Sequence, residues 1–489
     1  MIYPSFQEFL SLSRHFDIVP VHVKMLADAE TPITIFRKLV GNRTGCLLES
    51  AENGQFLGRY SFIACDPVMS FVSTNGIGVL SYAGGEMVRA DGHPLEVLRQ
   101  VLARFRFHAV EGLARFYGGA VGYLAFEAGF PVPRVPHRAP GKETVDLPDC
   151  QMFFPETVII YDHLTHQLTL VVNCYLQKED PGRSYQKAVA KSEQVMARLA
   201  APMDPAGKFV LDEELQANMT DAEFMEKVDR IVAAVRRGDA DQVVLSRRYE
   251  ARFSGDDFEI YRRLRSINPS PYMFYLSQNG IKAIGSSPEM LLRVEQGQVT
   301  TCPIAGTRPR GTDAAEDLRL VQELLADPKE IAEHRMLIDY ALGDLRKVCE
   351  PDSLTIAKYL EPQYFSHVIH LVSQLAGRLR PGVAPIEALA ACFPAGTVLG
   401  TPRDAAAKII EDLEPSDRGI YGGAVGYVGF NQVLDTGIAI RTAVIKDNRV
   451  YVQVGAGIVA DSRPELEFME VKAKAEALCQ ALGLSLVAL

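Results

Sequence analysis

The sequence predicts an α+β protein in which strand-forming and helix-forming stretches mix without regular alternation, and three observations carry that reading. Residues 1 to about 200 are rich in short β-like runs, TVIIYD at 157–162 and LTLVVNCYL at 168–176 among them, divided by Gly and Asp turns. After residue 220 longer helical patterns mix with further β-runs, which is not the strand–helix alternation of a parallel sheet. The phrase YGGAVGY occurs at 117–123 and again at 421–427, a spacing far too long for a solenoid and suited to duplicated strand architecture.

Taken in order, the helical stretch SYQKAVAKSEQVMARLA at 184–200 closes the first part. The mixed segment 201–219 reads as a connector, so the chain divides into 1–200, the connector, and 220–489. Thr220 opens the second part with a Thr-x-x-Glu capping box to Glu223, followed by Phe224, Val228, Ile231 and Val235 at helical spacing. Glycine inside a strand marks a close backbone approach, so a YGGAVGY copy is a candidate for lining a site. No phosphate-binding loop of the P-loop or dinucleotide type is present.

Composition excludes several classes. With 47% hydrophobic and 23% charged residues the chain is that of a globular protein with a sizeable core. A formal charge of −10 argues against a nucleic-acid binder, so positive charge for an anionic ligand must be local. The start MIYPSFQEFL lacks a basic, then apolar leader, and no run of apolar residues is long enough to span a bilayer. The eight cysteines are scattered without a C-x-x-C pair, the pattern of reduced thiols in a cytoplasmic protein.

Two helices carry paired acids. In DPKEIAEHRM, 327–336, Asp327 can cap, Pro328 fits the first position and Glu330 completes an Asp-x-x-Glu box. On a helical wheel Ile331, Leu337, Ile338, Ala341, Leu342, Leu345 and Val348 form one arc, with Glu330 at its edge and Glu333 just beyond. In DSRPELEFMEVKAKAEAL, 461–478, Ser462 and Glu465 can form a second box, and Glu467, Glu470 and Lys474 share a face. Glu470 and Lys474 read either as an i,i+4 surface ion pair or, with the first helix, as part of an oxygen site for a hard cation.

A series of phrases makes the reading specific: QVVLSRR (242–248), NPSPYMFYL (268–276), GSSPEML (285–291), PIAGTRPRG (303–311), DPKEIAEHRMLID (327–339), SHVIHLVS (366–373), YGGAVGY (421–427), IAIRTAV (438–444) and VGAGIVADSRPELEFMEVKAK (454–474). In this order they resemble the chorismate-utilising enzymes, most closely the anthranilate synthase component I family, over nearly the whole chain. The resemblance implies a four-layer α/β/β/α fold with orthogonally packed antiparallel β-sheets and outer helices, Mg²⁺ as cofactor, and the dianion chorismate as substrate. It assigns Glu333 and Glu470 to the metal, assisted by Glu330 and Glu467. Arg441 and Tyr421 hold the enolpyruvyl carboxylate, with Gly455, Gly457, Thr307, Thr397 and Lys474 completing the substrate site. By the same resemblance Glu289 would be the general acid for the leaving hydroxyl, and His370 would serve proton transfer or orientation. His367 has no match of that kind.

Two positions narrow the expected reaction. Relatives that add water carry a lysine base where this chain has Gln242, and the p-aminobenzoate branch carries a nucleophilic lysine where PIAGT has Ala305. The resemblance therefore implies ammonia addition, loss of the C4 hydroxyl and elimination of pyruvate. A 2-amino-2-deoxyisochorismate synthase, an aminodeoxychorismate synthase component I and, in a different class, a catalytically silent tryptophan-binding regulator are the alternatives. With no glutaminase elbow in the chain, the ammonia is expected from a glutamine amidotransferase subunit in a hetero-oligomer. LLES, GRYSF and NPSPYM resemble a tryptophan feedback site, with Glu49 for the ammonium, Leu48, Pro271, Tyr272 and Met273 around the indole, and Ser50 beside them. The chain departs from the family's usual wording at 340–348, where it reads YALGDLRKV, at Thr401 and Arg403, at 429–435, and at Val471.

Overall fold

A computed structural model describes residues 2–50, 58–132, 145–176, 179–203, 207–364 and 368–484. His367 lies outside them. The predicted early elements form as Cys150–Asp162, Gln167–Tyr175 and the helix Pro181–Ala200. Thr220 caps Asp221–Arg237 with the reciprocal box, and Phe224, Val228 and Ile231 turn inward. Each such fully buried side chain contributes roughly 1.5–3 kcal/mol of apolar burial.

The strand ladders are antiparallel and form one connected network that joins both halves of the chain. Gly45–Glu49 pairs with Tyr272–Gln278, and Gly119–Leu124 pairs with Ala424–Gly429. The second pairing sets the two YGGAVGY copies against each other, Gly122 opposite Gly426. A Cβ at Gly122 would stand 2.1 Å from the Gln151 carbonyl oxygen and one at Gly426 2.0 Å from that of Asp435, so both positions require glycine. The repeated phrase is therefore the seam between the halves.

The long strand Gln242–Gly255 pairs with Arg449–Ile458, and its first residues also pair with Gly400–Thr401. Against this ladder packs the C-terminal helix Pro464–Ala481, which also touches Asp221–Arg237 and Phe258–Ile267. Val471, Ala475 and Cys479 share a core with Phe224, Val228, Ile231 and Ala456. The α+β class read from the sequence is the observed one. Among the described residues no helix is long and apolar enough to cross a membrane.

Two expected caps differ. Asp327 does cap Pro328–Leu345, accepting from the Lys329 and Glu330 amides, but Glu330 does not bond back. Its carboxylate goes instead to Arg308 at 3.4 Å, because a cation within reach competes better than a backbone amide. Ser462 caps nothing in the last helix, which begins at Pro464 after Arg463. Its hydroxyl accepts from the Val459 amide at 3.1 Å, fixing the turn before the helix.

Candidate active site

The two acidic helix starts face each other. Asp327, Pro328 and the amides they organise start the first helix, which places Glu330 and Glu333 in its opening turns, where the helix dipole favours anions. Glu333 accepts from Gln242 Nε2 at 2.8 Å. Gly457 makes room for that amide, since a Cβ there would stand 2.8 Å from the same nitrogen. Burial raises the pKa of Glu333 from its ordinary value, and the charges of Glu330 and Glu470 add to it, against the Gln242 hydrogen bond and Lys329. Glu467 is raised likewise, by burial first and by Glu470.

Glu470 meets Lys474 at 2.6 Å, so the i,i+4 pair exists. Lys474 also donates to the Gly455 carbonyl at 3.1 Å, which ties the helix to the strand Arg449–Ile458. Gly455 is confined by Tyr421: a Cβ would lie 2.6 Å from the phenol oxygen. Among the described residues no three His, Cys, Asp or Glu side chains already stand close enough to ligate one ion. The donors nevertheless suit Mg²⁺, which takes one or two carboxylates and fills its remaining positions with water and an anionic group of the substrate. Mutually repelling, part-buried carboxylates are the feature of this structure that such an ion would relieve.

Arg441 holds the opposite charge. It sits at φ 51°, a left-handed backbone that costs a non-glycine residue about 1–3 kcal/mol and persists where surrounding structure dictates it. The Ser286 amide donates to its carbonyl at 3.1 Å. Its guanidinium makes no hydrogen bond or ion pair among the described residues, so the internal salt bridge that its apolar flanks suggest does not form. Burial lowers its affinity for a proton, offset by Tyr421 and Glu470 nearby.

Glu289 and His370 complete the arrangement. Burial pushes the Glu289 carboxyl up to about 7, with the Thr397 hydroxyl and the Lys474 ammonium pulling the other way. His370 is pushed down to about 4 by burial, with Arg441 and Lys474 adding to it. Its Nδ1 lies 3.1 Å from both the Gly306 carbonyl oxygen and the Thr307 hydroxyl. A carbonyl can only accept, so Nδ1 carries hydrogen there and the ring is neutral near pH 7. Such a ring carries no spare proton near neutrality, whereas the Glu289 carboxyl, pushed up to about 7, retains one there. Arg308 and Lys329, absent from the sequence reading, both act on the acids; Lys329 stands beside Glu330 in the capping turn, whereas Arg308 comes from a separate stretch and gave no local signal.

A second cavity, about 490 Å³, is lined by Leu48, Glu49, Ser50, Pro271, Tyr272 and Met273. The Ser50 and Tyr427 hydroxyls on its wall are buried without a hydrogen-bond partner among the described residues. Glu49, by contrast, already accepts from Tyr261 at 2.6 Å, Arg265 at 2.9 Å and Ser61 at 3.2 Å. Tyr272 is not simply apolar wall, since its hydroxyl donates to Asp435 at 2.7 Å, where Arg293 and Arg115 also bind. Sequence reasoning missed this Asp435 cluster, whose members lie far apart in the chain.

Comparisons with known proteins bear on the whole chain. The profile of the chorismate binding enzyme family matches residues 45–480. Anthranilate synthase component 1 of Acetivibrio thermocellus is 39% identical over 99% of both chains, and that of Aquifex aeolicus 39% identical over 98% of both. The crystal structure of anthranilate synthase component I from Streptococcus pneumoniae TIGR4 superposes with a TM-score of 0.76 at 31% identity, covering 93% of this chain and 98% of that one. The menaquinone-specific isochorismate synthase of Escherichia coli shares the fold, with a TM-score of 0.73 at 20% identity over 98% of this chain and 99% of that one.

Proposed function

This chain belongs to the chorismate binding enzyme family, and from that premise we propose that it converts chorismate and ammonia to anthranilate, pyruvate and water. In this reading it is the synthase subunit of a complex whose glutamine amidotransferase partner releases the ammonia, and tryptophan in the second cavity inhibits it. The observation that carries the proposal is a cation, Arg441, without an ion-pair partner among the described residues, near carboxylates that repel one another. A dianion completes both: one carboxylate on Arg441, the other toward the acids.

Glu333 and Glu470 would hold Mg²⁺ with Glu330 and Glu467 beside them, and the bound ion would neutralise the ring carboxylate and orient the ring. Arg441 offers a planar fork that binds the enolpyruvyl carboxylate bidentately, and Tyr421 braces it. Gln242 is a neutral amide anchored on Glu333, so no side chain there activates water, and ammonia needs no such base. As nitrogen adds at C2, Glu289 passes its proton to the C4 oxygen and the C–O bond breaks, releasing water. Neutral His370 fixes the ring's position. Loss of the C2 proton, with protonation of the enolpyruvyl methylene, then expels pyruvate and aromatises the ring.

The test is turnover of the purified chain with chorismate, Mg²⁺ and excess ammonium, followed by anthranilate fluorescence and product chromatography. Anthranilate and pyruvate in equal amounts, abolished by EDTA and suppressed by tryptophan, are expected. A non-aromatic amino product without pyruvate would instead make it a 2-amino-2-deoxyisochorismate synthase, and tryptophan binding without turnover a silent regulator.

A further inference from the structure

Glu289 and Thr397 border a third cavity, of about 560 Å³, that the charged groups assigned to the substrate and the metal do not share: none of Arg441, Glu333, Glu470 and Lys474 lines it, nor does Tyr421. Its deep wall is Glu289 with the buried Leu337 and Ile438, and its rim is the partly exposed Tyr340, Asp344 and Arg403. Glu289 thus borders a space that leads outward and itself lies near Lys474 and Tyr421, with which it interacts electrostatically.

We infer that this cavity is a water chamber through which Glu289 regains its proton after each turnover and through which the water formed from the leaving hydroxyl escapes. The inference rests on the reading of Glu289 as the acid. Three features of the walls support it. The space has room for a few waters. Four hydroxyl residues line it: Thr397 near Glu289, Thr301, whose hydrogen goes to the Leu291 carbonyl at 2.9 Å and leaves it able to accept, Thr401 and Tyr340. Between them Leu337, Ala341 and Ile438 are apolar, which suits a short file of neutral water and excludes ions.

The rim is built rather than incidental. Arg403 pairs with Asp344 and donates to the carbonyls of Ala391 at 3.1 Å and Cys392 at 3.0 Å, fixing one side. Tyr340 donates to Asp241 at 2.9 Å and touches the Thr401 hydroxyl, fixing the other. Two stretches whose wording departs from the family, 340–348 and 401–403, thus meet at this one opening. The proton count closes without a further reagent: Glu289 gives one proton to the departing oxygen and takes one back from chamber water, while the added nitrogen releases one to solvent.

Three variants test it: Ala341→Leu to narrow the chamber, and Tyr340→Phe and Thr401→Val to remove hydroxyls at nearly constant volume. Each is measured for kcat, KM for chorismate and for ammonium, Mg²⁺ dependence, melting temperature and the solvent deuterium isotope effect. The expected result is a kcat lowered about fivefold or more in Ala341→Leu and less in the hydroxyl variants, a larger isotope effect, and unchanged KM values and Mg²⁺ dependence. Wild-type kcat and isotope effect in all three would overturn the inference, as would a raised KM for ammonium alone, which would make the cavity an ammonia route. Loss of rate that merely follows loss of melting temperature would also overturn it. Glu289→Gln separates the two readings: a nearly inactive Glu289→Gln with silent cavity variants removes only the chamber, whereas an active Glu289→Gln removes the acid itself.

Discussion

Replacing Glu289 by Gln should make the protein more stable and much less active, in a way that depends on pH. Burial moves this carboxyl from 4.5 to about 7, and at about 1.4 kcal/mol per tenfold change in proton affinity that is roughly 3 kcal/mol. The unfolded chain loses the proton near 4.5 and the folded one near 7. Between those values the folded state binds more protons, so stability falls as pH rises and the deficit is complete above 7. Glutamine has no proton to lose and keeps the shape. Its advantage over wild type should therefore grow by about 2 kcal/mol between about pH 5.5 and 8.5, read as the difference in urea unfolding free energies of the two proteins at the two pH values. Other titrating groups cancel in that double difference. Over the same range the variant's anthranilate rate should fall by about 10²–10⁴-fold, the usual worth of a positioned acid. A pH-independent stability difference, or wild-type turnover by the variant, would refute the argument.

Other outcomes follow from the same geometry. Arg441→Lys loses the planar fork while keeping the charge, so KM for chorismate should rise about 10–100-fold with little change in melting temperature. Glu333→Gln should weaken Mg²⁺ about tenfold or more, measured by calorimetric Mg²⁺ titration without turnover as well as by activity. His370, pushed down to about 4, should show imidazole nitrogen shifts that do not titrate above about pH 5.5; a midpoint near 6.5 would contradict the buried neutral ring. Ser50→Phe fills the 490 Å³ cavity and should abolish tryptophan binding by calorimetry while turnover persists; retained binding would move the effector site elsewhere.

Local chemistry was legible where neighbours in the chain decide it. The Thr220 box, the inward stripe of Phe224, Val228 and Ile231, and the Asp327 cap all depend on residues within one or two turns. One cap failed because a distant group intervened, Glu330 turning to Arg308; the other lost to a local competitor, the Val459 amide engaging the Ser462 hydroxyl. The same limit applied to the sites. Glu49 read as an open acceptor, yet Arg265 and Tyr261, more than 200 residues on, already occupy it. The Asp435 cluster joins residues 115, 272, 293 and 435, with no local pattern to announce it.

The sequence by itself determined the residue types: carboxylates paired at two helix starts, an arginine within an apolar stretch, a glutamic acid after Ser-Ser-Pro, a glutamine where relatives that add water keep a lysine. Identity of a side chain is a local property, and helical periodicity needs only a few turns of chain. What each group does was decided in three dimensions. Glu289 holds a proton near neutrality because the fold takes it out of water, and His370 gives its proton up for the same reason. Arg441 lacks an anionic partner because the strands around it place none within reach among the described residues. Desolvation and pairing depend on groups that meet only when the two halves of the chain close along the YGGAVGY seam.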